Sequence, residues 1–144
     1  MDKEYPDLPA MTGAEMQVTR EWLGLNRKWL SGHLQISERR LLRMEAEQES
    51  IPSGVVSFLD ELNAHTKSVV DEQVAKYRRL VKTSDGDVLY RTWRDNTYEG
   101  EYCASWHRGV AARVADAVPQ LVLTYWERED QPVFHKPWDK NPAP

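Results

Sequence analysis

Three arginines, Arg39, Arg40 and Arg43, follow closely on Ser37, a residue type that caps helix starts. A guanidinium carried on a helix can donate two parallel hydrogen bonds to the N7 and O6 edge of guanine, or bind phosphate oxygens. Glu38 beside them can accept from the N4 amine of cytosine, and Leu42 can rest on a thymine methyl. These groups make no bonds and break none. The chemistry they suit is recognition of a duplex, with Glu38, Arg39, Leu42 and Arg43 as base-reading candidates and Asn26, Arg27, Lys28, Ser37 and Arg40 as phosphate-binding candidates.

The elements that must hold these residues are marked by local signals. Thr12-Gly-Ala-Glu15 has capping-box spacing and starts a first helix, which runs to about Leu23 before Gly24 releases it. Asn26 caps a second helix from Arg27 to Leu34, and after a turn at Gln35-Ile36, Ser37 caps a third that reaches about Glu45. So short a connection forces the two helices to cross steeply. Their inner faces must then be small or apolar, which Leu30, Ser31, Leu34, Ile36, Leu41 and Met44 supply. The helical period puts Glu38, Arg39, Leu42 and Arg43 outward, near the N-terminal half that enters a major groove.

Ile51-Pro52-Ser53 restarts the chain as a helix, because proline is tolerated in a first turn. Apolar residues then recur at helical spacing as far as Val81, giving one long helix or two in tandem. Ser84-Asp85-Gly86-Asp87 is a turn signal leading into β-type sequence at Val88-Leu89-Tyr90. Residues 104–118 read as a helix with Trp106, Val110, Val114 and Val118 on one face, and residues 121–126 are the most β-prone run. No repeat is present. The expected fold is mainly α: a four- to five-helix N-terminal domain at residues 11–62, then a long helix and a small α+β segment at 63–127. Flexible ends are expected at 1–10 and in the proline-rich stretch 128–144, which also carries Phe134 and Trp138.

At 144 residues and 40% hydrophobic content, a packed core is feasible. No apolar run approaches a membrane span and the start lacks the pattern of a secretory signal, so a cytoplasmic protein is expected. The single cysteine, Cys103, leaves no internal disulfide and fits reducing surroundings. Net charge is −4, yet five cations lie between Asn26 and Arg43 against the single anion Glu38. A small basic footprint on an acidic body implies weak nonspecific binding to polyanions and dependence on a few placed contacts.

Other chemistries find less support. Cys103 and His107 are one helical turn apart, but the remaining histidines, His33, His65 and His135, are scattered, so no metal site is expected. Asp85-Gly86-Asp87 lacks the further ligands of a calcium loop. Trp93, Arg94, Tyr98 and Tyr102 interleave aromatics with charge as single-strand binders do, but core and interface packing is the favoured reading. No phosphate loop, nucleophile elbow or paired-histidine motif occurs, so neither an enzyme nor a cofactor is expected.

Arg20-x-x-Leu23-Gly24-Leu25-Asn26-x-x-x-Leu30, with Ser37 and Arg43-Met44-Glu45, resembles the Cro and lambda-repressor (XRE) type of helix-turn-helix domain over about residues 11–62. The resemblance implies a sequence-specific, double-stranded DNA-binding transcriptional regulator. It places a buried ion pair on Arg20 and Glu45, reading residues on Glu38, Arg39 and Arg43, and phosphate contacts on Asn26 and Arg27. Gln35 stands where that family commonly has glycine and must adopt the turn at some strain.

The element order, with its Ile-Pro-Ser restart and Trp106 helix, is more loosely similar to small bacterial and phage dimeric regulators that include autorepressors of anti-CRISPR operons. That likeness implies a C-terminal dimerisation segment, with Val88, Tyr90, Trp106, Val110, Val114, Leu121, Leu123 and Tyr125 buried against a second subunit. A homodimer also follows from physics, because one module makes too few base contacts for useful specificity and a twofold pair reads two half-sites. The expected function is an autoregulatory repressor on an inverted-repeat operator. The alternatives are an antitoxin-like protein gripping a partner protein through its C-terminal segment, and an RNA-binding regulator using the same basic face with Trp93 and Tyr98.

Overall fold

A computed structural model describes residues 8–95 and 100–126. Residues 1–7 of the expected N-terminal extension, Tyr98, and the expected tail at 128–144 with Phe134, His135 and Trp138 lie outside the described residues.

Helix α1, Gly13–Trp22, opens with the capping box in place: the Thr12 amide donates to Glu15 Oε1 at 2.9 Å and the Glu15 amide to Thr12 Oγ1 at 3.0 Å. Gly24 ends the turn with φ of 72°, in the left-handed region glycine tolerates. Asn26 caps α2, Arg27–Leu34, by accepting from the Trp29 amide at 2.7 Å. The chain leaves α2 through Gln35 at φ 56° and ψ 42°, also left-handed. Ser37 then caps α3, Glu38–Glu45, accepting from the Arg40 amide at 3.2 Å.

The strain at Gln35 gives a direct prediction. Its side chain is exposed, so Gln35→Gly removes no packing and relieves a conformation costing about 1 kcal/mol. The variant is expected to melt a few degrees higher. A lower melting temperature would show that the glutamine side chain contributes something its exposure does not suggest.

Helix α4, Ser53–Thr83, is a single 31-residue rod, roughly 46 Å long. Its N-terminal half buries Val55, Leu59, Leu62 and Thr66. Beyond Thr66 no position on it is fully buried: Val69, Val70, Val74, Tyr77 and Val81 are half-buried and Leu80 is exposed. Strand β1, Val88–Thr92, pairs in parallel with β2, Leu121–Tyr125, in a register that sets Val88 opposite Leu121 and Thr92 opposite Tyr125. Parallel neighbours need a crossover, and α5, Ala104–Ala117, supplies it.

Helix α5 lies against α4. Trp106 Nε1 donates at 3.0 Å to Thr66 Oγ1, which itself donates to the Leu62 carbonyl at 2.7 Å, so a buried polar link joins the two helices without an unpaired group. The start of α5 docks on the corner after α1, where Ser105 Oγ donates to the Gly24 carbonyl. One contiguous cluster of buried side chains results, from Met16, Leu23, Leu30, Leu41 and Met44 through Leu59 to Trp106, Val110, Val114 and Val118. The expected boundary between residues 62 and 63 falls inside α4, which contributes to this cluster on both sides.

That packing buries within the chain part of the surface expected to face a second subunit. Trp106, Val110 and Val114 are 4%, 3% and 0% exposed within the chain itself, because α4 continues far enough for α5 to lie along it. Tyr90 and Leu121 are buried by the same packing and Val88 is half-buried, while Leu123 and Tyr125 stay on the surface. Among the described residues no helix is long and apolar enough to cross a membrane.

The Gly24 corner gives a second prediction. A Cβ there would overlap the Ser105 carbonyl on a backbone already at positive φ. Gly24→Ala is expected to lower stability by about 2–4 kcal/mol, from left-handed strain and overpacking together. Urea denaturation would measure it; a loss under 1 kcal/mol would mean the α1–α5 contact yields easily.

Candidate nucleic-acid interface

Helix α3 has an inner and an outer face. Leu41 and Met44 are fully buried and Glu45 nearly so, while Glu38, Arg39 and Leu42 are exposed, Leu42 to 48%. An exposed leucine one turn from exposed Glu38 and Arg39 is not held there by core packing. Arg40 and Arg43 sit at the flank, half-buried.

The far end of α3 is anchored by charge. Arg20 Nε donates to Glu45 Oε2 at 2.6 Å and Arg20 Nη2 to Glu45 Oε1 at 3.2 Å, while Arg20 Nη1 donates to the Leu25 carbonyl at 3.0 Å. Arg27 Nη2 reaches the same Glu45 Oε1 at 3.0 Å. Burial alone would raise the Glu45 pKa; the hydrogen bonds and charges of Arg20 and Arg27 together outweigh it and hold the carboxyl below its ordinary range. One carboxylate thus ties α1, the start of α2 and the end of α3 into a fixed frame. Resemblance placed the Arg20–Glu45 pair; the participation of Arg27 is an addition.

The phosphate candidates differ in what they have left to offer. Asn26 and Ser37 spend a side-chain oxygen on their caps. Arg27 is committed to Glu45, and its Nε is buried with no partner among the described residues. Lys28 is exposed and makes no ion pair among the described residues, as is Arg39. Arg40 and Arg43 share Glu49: Arg40 Nε donates at 2.7 Å to Glu49 Oε2 and Arg43 Nε at 3.2 Å to Glu49 Oε1. The Arg40 hydrogen bond, with that from Arg43, outweighs slight desolvation and lowers the Glu49 pKa.

Glu49 lies outside the basic segment Asn26 to Arg43 in sequence, and the fold brings it back. Glu47 takes a left-handed conformation at φ 62°, and the Gln48 amide donates to the Arg43 carbonyl at 2.8 Å. The chain therefore doubles back along α3. No glycine marks that reversal, so little in the local sequence announced it. The five cations between Asn26 and Arg43 are not five free charges once folded.

Elsewhere, aromatic rings gather away from the α3 face. Trp29 stacks on His33 with centroids 4.9 Å apart, and His33 and Tyr102 approach Phe58 and Trp106 in turn, at 4.7 and 4.3 Å. Trp93 stacks on Trp126 at 5.8 Å, and the Arg91 guanidinium lies 5.3 Å from the Trp126 ring centre. Cys103 is buried, and burial lowers the pKa of His107. Among the described residues no three histidine, cysteine or acidic side chains gather to hold a metal ion. Compared with known proteins, the chain matches no family model and no curated sequence.

Proposed function

We propose that the chain is a sequence-specific double-stranded DNA-binding repressor, acting as a homodimer on an inverted-repeat operator, with α2, the Gln35 turn and α3 as a helix-turn-helix. The observation that carries this reading is the outer face of α3, where Glu38, Arg39 and Leu42 stand exposed on a helix whose inner face is packed and whose end is fixed by the Arg20–Glu45–Arg27 cluster. A reading helix needs such a frame, because base contacts tolerate little positional slack. Arg39 and Arg43 reach guanine edges, Glu38 and Leu42 add cytosine and thymine preference, and Lys28 meets a phosphate.

A second copy supplies the other half-site. Leu123 and Tyr125 are exposed on β2, whose outer edge has no strand neighbour in the described two-stranded sheet, and such a sheet gains from further pairing. The test is an electrophoretic mobility shift on DNA from upstream of the chain's own gene. A complex that survives excess unrelated duplex supports the reading, and loss of every complex under that competition counts against it. A second reading, binding of single-stranded RNA, is favoured by the Trp93–Trp126 stack with Arg91 beside it. Competition between duplex DNA and single-stranded RNA separates the two.

A further inference from the structure

We infer that Glu49 is a positioning residue for duplex recognition: it braces Arg43 for base contact while withholding Arg40 and Arg43 from arbitrary polyanions. The inference rests on the duplex-binding reading and concerns how that face discriminates.

The geometry carries it. Glu49 meets Arg43 through Nε, at 3.2 Å, and among the described residues neither Nη of Arg43 has a hydrogen-bond partner. The two Nη groups form the end of the guanidinium that can bond N7 and O6 of guanine together. A carboxylate on the Nε side therefore leaves the reading edge open and fixes its direction. Arg40 is held more tightly, by Nε at 2.7 Å and Nη2 at 2.5 Å to the same Glu49 oxygen. One side chain thus orders two long, flexible ones on the same flank of α3, and ordering before binding removes part of the entropy cost of the complex.

The same contacts penalise the wrong ligand. A phosphate backbone attracts cations whatever its sequence, and each neutralised phosphate steepens the salt dependence by about 0.9. Arginines already neutralised by a carboxylate contribute less to that general attraction. Arg39 and Lys28, without such partners among the described residues, remain to supply it. A matched site offers Arg43 a bidentate base contact that does not require Glu49 to leave. An unmatched site offers only phosphates, which must compete with Glu49.

The experiment compares full-length wild type, Glu49→Gln and Glu47→Gln on a preferred duplex and on a scrambled one, over a range of salt. Glu47 sits in the same reversal but accepts from the Gly13 amide at 3.0 Å, so its substitution removes an equal charge without touching the arginines. Glu49→Gln is expected to bind scrambled duplex several-fold more tightly, with a salt slope steeper by about one to two. Its ratio of preferred to scrambled affinity is expected to fall about tenfold, while Glu47→Gln keeps the wild-type ratio. An unchanged ratio for Glu49→Gln, or the same change in Glu47→Gln, overturns the inference. Should the wild type prefer no duplex, the duplex reading fails separately, and the brace is judged on heparin. There Glu49→Gln must elute at higher salt than both other proteins, and equal elution of all three overturns it.

Discussion

Replacing Arg39 with alanine is expected to weaken binding to the preferred duplex by about 5- to 150-fold, the equivalent of about 1–3 kcal/mol for one bidentate base contact. Fold stability should not change, because the Arg39 side chain is exposed and has no ion-pair partner among the described residues. The loss should also be positional. One base pair per half-site should lose its preference while the rest of the site is still read. Lys28→Ala is the contrasting variant, expected to weaken preferred and scrambled duplexes alike and to lower the salt slope by about one. Fluorescence anisotropy with labelled duplexes would measure both. Equal loss on both duplexes in Arg39→Ala would reassign that residue from base to backbone.

Arg20→Ala is expected to have the largest effect on stability, about 3–5 kcal/mol, because it leaves Glu45 buried with its bidentate partner removed. Arg27 still reaches Glu45 Oε1, so the carboxylate keeps one partner and the lower half of that range is favoured. Replacing Arg20 and Glu45 together by methionine and leucine should recover much of the loss, since no uncompensated charge then remains. Acid dependence follows from the same cluster. The Glu45 pKa lies below its ordinary value of 4.5, so its contribution is present in full above that value and fades as pH falls through the lower folded value. As pH falls from neutral to below 4.5, wild type should lose stability that Glu45→Gln has already lost. Parallel acid profiles for the two proteins would place the acid-sensitive group elsewhere.

Local signals made the first three helices legible. Thr12 with Glu15, Asn26 and Ser37 each act on backbone donors within three residues, so their effect needs no knowledge of tertiary structure. Apolar spacing likewise located α4 and α5, while a turn signal and β-prone composition located the two strands. It could say that Trp106, Val110 and Val114 must be buried but not by what. A twofold partner and the chain's own α4 satisfy the same periodicity, and in the structure it is α4 that α5 lies against.

Glu49 was illegible for a different reason. Its six- and nine-residue separations from Arg43 and Arg40 match no helical spacing, and the reversal through Glu47 lacks the glycine that would flag it. The charge census of a segment therefore overstated its free charge. Arg39, by contrast, lies where the helical period placed it, because Leu41 and Met44 fix the rotation of α3 about its axis.

The most direct test of the proposed duplex-reading surface is selection of bound DNA from a random pool, run in parallel with wild type and Arg39→Ala. The account predicts that wild type enriches an inverted repeat with half-sites about one helical turn, or ~34 Å, apart, each with a guanine whose preference relaxes in Arg39→Ala. No enriched motif with wild type, or an identical motif from both proteins, would contradict it.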